Sequence, residues 1–277
     1  MEDVLPDLRI VATDALTPHE QADRQRSEPL ARRLQAEGLL RNPPVVTALG
    51  TPDGRFVILD GANRYTAATV LELPHLLVQV VDYDDPALRL STWYHVVAGC
   101  DRATLDFTLD GLDGLVREPG DLLHARAALA RRDVLASVVF ADGQVELLRA
   151  GGDLRARTAV LNAIVDGYKG CAKIYRTTTD RVAEVRELYR ELTAIVVFPH
   201  YDPAEILDLA RDGIPLPAGI TRHIIPRRAL RLNYPLERLA GAHSLAEKNA
   251  ELQEWLRERL AAKGVRYYAE PTVLFDE

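Results

Sequence analysis

The chain has 277 residues, 47% hydrophobic and 27% charged, enough apolar side chains for one large core or two ordinary ones. A formal net charge of −7 and a pI near 5.6 disfavour a protein that mainly coats nucleic acid, because phosphate neutralisation drives such binding. No run approaches the roughly 20 apolar residues that span a bilayer, and the acidic start MEDVLPDLRI lacks the pattern of a signal peptide, so a cytoplasmic location is expected.

In chain order, LRIVAT predicts a first strand, followed by the polar loop DALTPHEQADRQR. SEPLARRLQAEG predicts a helix with Ser27 as its cap, Pro29 in the first turn and Gly38 at its end. PPVVTALG and RFVILDG flank TPDG as a hairpin, NRYTAATVLEL is helical, and LLVQVVDYD returns as a strand. These make a compact α+β unit of about 85 residues, within a first domain placed at residues 1–100. The second domain, residues 101–277, is expected to mix helix and sheet. Within it VLASVVF-ADG-QVELLRA reads as a hairpin, DLRARTAVLNAIVDGYKG and DRVAEVRELYRELTA as helices, and IVVFPHYD as a buried strand. Val182, Val185, Leu188, Tyr189 and Leu192 form an apolar stripe at helical spacing. DPAEILDLARDG is a short helix stopped by Gly213, and Ser244 with Glu247 stands in capping-box register before a long final helix. Cys100 and Cys171 are far apart in sequence, without a CxxC pattern, and read as buried small hydrophobes in a reducing compartment.

One turn carries chemistry. In VILDGANRYTAAT a strand ends at Asp60, and Gly61, Ala62, Asn63 and Arg64 lead into a helix. A helix start beside glycine offers backbone N–H groups and the positive dipole end to an anion. Arg64 can add a bidentate phosphate contact and Asn63 a neutral donor, and Asp60 can hold the Mg²⁺ that accompanies a nucleotide. The plainer reading is that Asp60-Gly61 turns the chain while Arg64 pairs with a surface acid. Three acids beside Pro86 read as a solvated turn. Arg227, Arg228 and Arg231, alternating with Ile225, Leu230 and Leu232, read as the solvent side of a strand.

The order Leu39-Leu40, Pro44-Val45-Val46, Ile58-Leu59-Asp60-Gly61-x-x-Arg64-x-x-Ala67-Ala68 resembles the ParB/sulfiredoxin superfamily over roughly residues 8 to 82. The resemblance implies an α+β fold, with a ParB/sulfiredoxin-like N-terminal domain and a second α/β domain, and a nucleotide at the G-x-x-R turn. Sulfiredoxin chemistry needs a cysteine where Ala62 and Asn63 stand. A partitioning protein needs a helix-turn-helix reader, and DYDDPALRLSTWYHVVAGCDRATLDF shows no such pair. Leu16-Thr17-Pro18-His19-Glu20, Ser91-Thr92-Trp93-Tyr94-His95, Gly219-Ile220-Thr221-Arg222-His223 and Arg228-Ala229-Leu230-Arg231-Leu232-Asn233 together resemble the ParB-like free-serine kinases, which phosphorylate L-serine with a nucleoside di- or triphosphate. Related enzymes often carry one or two histidines at the positions of Ala62 and Asn63.

That resemblance implies Glu20 as catalytic base and Asp60 as a second catalytic carboxylate and Mg²⁺ ligand. It places phosphate at Gly61, Ala62, Asn63 and Arg64, and substrate at His19, Trp93, Thr221, Arg222 and His223. His19 either orients Glu20 or stacks on a base. In a strand, Thr221 and His223 share one face and Arg222 the other, whereas a loop allowed by Pro217 and Gly219 lets all three line one pocket. Both donors, ADP and ATP, stay open, as does another hydroxylated metabolite in place of serine. The expected picture is two domains closing over the substrates. The alternative is a ParB-like nucleotide-binding regulator acting on DNA or a partner protein.

Overall fold

Alternation in LRIVAT does produce a strand, β1 (Asp7–Ala12), in the computed structural model, which describes residues 5–22 and 24–268. The described residues divide into two compact units. One takes the chain up to residue 17, then 22–87, and everything from 225 on; the other takes 18–21 and 88–224. This partition differs from the boundary expected at residue 100, because the C-terminal segment rejoins the first unit.

In the first unit β1 is followed by β2 (Leu16–Pro18) and helix α1 (Arg24–Glu37). Ser27 therefore lies inside the helix and is buried, not at its cap, and Pro29 sits in the helix interior rather than its first turn. Gly38 ends α1 as expected, with φ +66 and its N–H on Leu34 O. Then come β3 (Leu39–Leu40), β4 (Val45–Ala48), β5 (Phe56–Asp60), helix α2 (Ala62–Val70) and β6 (His75–Val80). Five strands form one sheet in the order β1-β6-β4-β5-β2. The β4–β5 hairpin is antiparallel, as its Asp-Gly turn suggests, and β4 runs parallel to β6. Ala67 and Ala68 are fully buried with Val46, Ile58 and Leu77, and their small side chains let α2 lie close over the sheet.

The second unit begins with β7 (Arg89–Thr92) and β8 (Tyr94–Ala98), then α3 (Arg102–Asp110). The stretch read as lacking a helix-turn-helix pair is two strands and the start of one helix, and DRATLDFTLDG is a capped helix within this unit. Next are β9 (Val116–Gly120), α4 (Leu122–Ala130), β10 (Ala136–Phe140), β11 (Val145–Arg149), α5 (Leu154–Lys169) and β12 (Lys173–Thr177). They are followed by α6 (Val182–Leu188), β13 (Leu192–Val197), α7 (Pro203–Arg211) and β14 (Thr221–Ile224). Six strands run in the order β12-β8-β13-β10-β11-β9, with antiparallel pairing throughout, and β14 pairs separately with β7. The stripe proposed for residues 182–192 is cut short: Leu188 is exposed and Leu192 already belongs to β13, because α6 lasts only seven residues.

Beyond β14 the chain returns to the first unit with β15 (Tyr234–Pro235), α8 (Leu236–Ala240) and α9 (Leu245–Ala261). Ser244 and Glu247 close the predicted capping box. Asn249 of α9 pairs with both backbone groups of Ile10 on the edge strand β1, at 3.0 and 2.8 Å, which satisfies an otherwise open edge. Tyr234, Leu252 and Trp255 join the core under the sheet. Residues 225–233 are not the expected strand: Arg227, Arg231 and Asn233 have positive φ. Gln79 of β6 holds this segment by accepting from Ala229 N–H (2.9 Å) and donating to Arg227 O (3.2 Å).

Candidate functional site

In the first unit, β5 ends at Asp60 and the chain turns through Gly61, with φ +96 and ψ +26, into α2. A Cβ at Gly61 would lie 3.0 Å from Pro44 Cα and from two guanidinium nitrogens of Arg64, so both conformation and space require glycine. Gly61 O accepts from Arg64 N–H (2.9 Å) and Tyr65 N–H (3.0 Å), and Gly61 as N-cap brings no capping side chain to this helix start. Ala62 and Asn63, half-buried, form the first turn.

Arg64 is clamped in place. Its Nη1 donates to Asn42 O (3.1 Å) and Pro43 O (3.3 Å), and its Nη2 to Asp60 Oδ2 (2.5 Å). Arg228 Nη1 also donates to Asp60 Oδ2 at 3.2 Å. Asp60, expected as a second catalytic carboxylate and Mg²⁺ ligand, therefore faces two guanidinium groups and aligns these cations. Among the described residues, no group of three or more His, Cys, Asp or Glu is placed to hold a metal ion. The turn concentrates positive charge from Arg64, Arg228 and the helix start, the electrostatics an oxyanion needs. A cavity of about 90 Å³ beside Arg64, lined partly by Leu34, Leu40 and Asn42, holds far less than a nucleotide fills.

In the second unit, Glu20 and Leu216 form an isolated parallel bridge, with Gln21 N–H on Leu216 O (2.8 Å) and Leu216 N–H on His19 O (2.8 Å). The bridge aims the Glu20 side chain at the start of β14. Glu20 Oε1 accepts from Thr221 N–H (2.7 Å) and Thr221 O–H (2.5 Å), and Oε2 from Gly219 N–H (2.7 Å). Because the Thr221 proton goes to Glu20, the 2.7 Å contact between Thr221 Oγ1 and His19 Nε2 assigns the Nε2–H tautomer to His19. His19 is only 4% exposed and meets His223 edge-to-face at 5.1 Å. Burial favours the orienting role for His19 over stacking on a base.

β14 settles the question of Thr221, Arg222 and His223. Thr221 and His223 share the buried face and Arg222 points the other way, so the loop alternative does not apply. Arg222 lies over the Trp93 ring at 4.4 Å, and Trp93 N–H is bonded to Ile220 O at 2.9 Å. Stacking fixes the guanidinium plane while its N–H edge, among the described residues, has no protein acceptor.

Two supports escaped the sequence reading. His95 Nε2 contacts Gly219 O (3.3 Å) while its Nδ1 meets Tyr168 O–H (2.6 Å), so the core grips the residue whose own N–H holds Glu20. Burial depresses His95 to a pKa of about 3, with the Gly219 contact opposing and Arg176 and Lys169 adding to the depression. The Arg176 guanidinium covers Gly219, whose φ is +79: a Cβ there would come within 2.3 Å of Arg176 Nη2. Arg228, quoted within the resemblance but read as a strand's solvent face, was given no site role. Its signal was Pro226 and the long run without β-branched residues after Ile225. The acids near Pro86 do form a turn, with Asp84 N–H on Asp82 Oδ1 at 3.0 Å. His200 lies past the end of β13 and its Nδ1 meets Thr92 Oγ1 at 3.0 Å.

No protein-family model matches the chain. The ATP-dependent L-serine kinase SbnI of Staphylococcus aureus (strain NCTC 8325 / PS 47) is 26% identical over 274 residues, 98% of this chain and 97% of the relative. An ATP-dependent L-serine kinase of Staphylothermus marinus is 29% identical over 90 residues, 32% of this chain and 35% of that protein. Among solved structures, C-terminally truncated SbnI from Staphylococcus aureus has a TM-score of 0.72 at 24% identity, covering 91% of this chain and 97% of that one. A free serine kinase in complex with AMP has a TM-score of 0.72 at 18% identity, covering 85% and 94%. The expected α+β fold with its ParB-like N-terminal part is therefore the fold of the free serine kinases, and the resemblance read in the sequence extends over nearly the whole chain.

Proposed function

We propose that this chain is a free L-serine kinase that transfers a phosphoryl group from a nucleotide to the serine hydroxyl, giving O-phospho-L-serine. The observation that carries the reading is the Glu20 carboxylate, held by Gly219 and Thr221 so that one oxygen keeps an acceptor direction. Oε1 already accepts two donors and Oε2 only one, so the hydroxyl of serine donates to Oε2. As the serine oxygen bonds to the terminal phosphorus of the nucleotide, the bond from that phosphorus to its bridging oxygen breaks, the shortened nucleotide leaves, and the serine proton passes to Glu20. Thr221, itself oriented by His19, keeps the carboxylate from rotating away. Arg222, its plane set by Trp93, takes the serine carboxylate through its N–H edge.

The first unit takes the nucleotide. Gly61 admits a phosphate close to the N–H groups of Ala62 and Asn63, and Arg64 and Arg228 neutralise charge, both aligned by Asp60. ATP is the proposed donor, supported by the names of both curated relatives. Mg²⁺ bound with the nucleotide would shield phosphate charge, and Asp60 is the carboxylate of this turn that would hold it. The protein works in the cytoplasm, where both substrates are found; among the described residues no helix is long and apolar enough to cross a membrane. The test is a panel of L-serine, D-serine, L-threonine and glycerate with ATP or ADP, followed by ³¹P NMR. A phosphomonoester signal confined to L-serine supports the assignment, and turnover of glycerate alone would replace it.

A further inference from the structure

The antiparallel register of β12 on β8 sets Lys173 opposite Ala98 and Tyr175 opposite Val96. Cys171 and Cys100 lie two residues beyond the last pair of this ladder, Lys173 opposite Ala98, on the two segments that it joins. The Cys171 thiol is near enough to act on Cys100, being among the causes that push the Cys100 thiol up. Both cysteines are free and half-buried, not buried as expected of them. The ladder holds the two segments about 4.5–5.5 Å apart at Ala98 and Lys173, and a disulfide two residues on needs Cα atoms within roughly 4.4–6.8 Å. Cys100 also lines an open groove of about 500 Å³ shared with Asp101, Glu191 and Thr193, which gives a small reagent access.

We propose that Cys100 and Cys171 form a reversible intrachain disulfide by exchange with a small-molecule disulfide such as oxidised glutathione. One cysteine thiolate attacks the reagent, its S–S bond breaks and the first small thiolate leaves. The second cysteine thiolate then attacks the protein sulfur of that mixed disulfide and expels the second small thiolate. Two protein thiols are oxidised to one disulfide, one reagent disulfide is reduced to two thiols, and the two protons released go to those thiolates or solvent. Burial and the neighbouring Cys171 push the Cys100 thiol up, so exchange speeds up above neutral pH. The bond would close a loop of about 70 residues, a length at which a cross-link strongly restricts the unfolded chain. It also staples β12, the edge strand that carries Arg176, to β8.

The inference is independent of the kinase reading and is tested without any activity. The full chain is incubated with excess oxidised glutathione at alkaline pH, denatured, alkylated with iodoacetamide, and mapped by mass spectrometry. The expected product is a monomer about 2 Da lighter than the reduced chain. It contains a Cys100–Cys171 linked peptide and no alkylation, melts several degrees higher, and reverts with dithiothreitol. Cys171→Ser should lose both the linked peptide and the rise in melting temperature. Two stable glutathione adducts, a disulfide-linked dimer, or full alkylation of both thiols would each overturn the proposal. The peptide map of the wild type decides the matter even if the variant folds poorly.

Discussion

Glu20→Gln removes a charge and converts one carboxylate oxygen into an amide donor. In one orientation the new NH₂ group faces Thr221 N–H, and Thr221 O–H must turn from Oε1 although its oxygen already accepts from His19 Nε2–H. In the other the NH₂ group faces only Gly219 N–H, so this orientation wins and one charge-assisted bond becomes a donor–donor clash. A bond to a charged group contributes roughly 1.5–3 kcal/mol, and the Glu20 side chain is only 13% exposed, so screening by solvent removes little of it. Urea denaturation at neutral pH should therefore show a loss of about 2 kcal/mol. Loss of the general base should lower kcat by about 10²–10⁴, with KM for nucleotide little changed. A variant equal to wild type in unfolding free energy would refute the hydrogen-bond reasoning, and one with kcat within about threefold would remove Glu20 as the base.

Gly61→Ala forces a β-carbon into positive φ and against Pro44, so it should cost at least about 1–2 kcal/mol of stability and weaken nucleotide binding measured by calorimetry. Equal nucleotide affinity would place the phosphate elsewhere. Arg228→Ala breaks a partly exposed pair with Asp60 and should change stability by less than about 1 kcal/mol, while raising nucleotide KM about tenfold; an unchanged KM removes Arg228 from the site. His95 is neutral in the fold with a pKa of about 3 and has an ordinary pKa near 6.5 once unfolded. Below about pH 6.5 the unfolded state binds the extra proton, so this contribution is complete above that pH and declines as pH falls toward 3, by up to about 1.4 kcal/mol per pH unit. Denaturation of wild type and His95→Asn across pH 4–7 should show a shallower slope for the variant, and parallel slopes would contradict the assignment.

Local chemistry was legible where local rules govern. The strand–Gly61–helix turn, the two Asp-Gly hairpins, and the Ser244 capping box are set by residues a few positions apart, and all three formed as read. The return of residues 225–268 to the first unit was not legible, because it rests on Gln79 with Ala229 and Asn249 with Ile10, pairs more than a hundred residues apart. The same holds for Arg228 on Asp60 and for the two cysteines, which lie just past the ends of strands paired across more than seventy residues. At Ser27 local reasoning picked a capping residue that the helix overruns. The buried–exposed alternation of Thr221, Arg222 and His223 follows from strand geometry, and it divides the triplet between a carboxylate support and an outward guanidinium.

The most direct test of the central claim is to incubate the purified chain with Mg²⁺, L-serine and ATP or ADP and to quantify O-phosphoserine by mass spectrometry, with Glu20→Ala in parallel. The account predicts product with ATP from the wild type and at least a hundredfold less from the variant. Undiminished product from Glu20→Ala would contradict the role of Glu20, and no O-phosphoserine with either nucleotide would contradict the assignment of the protein as a free serine kinase.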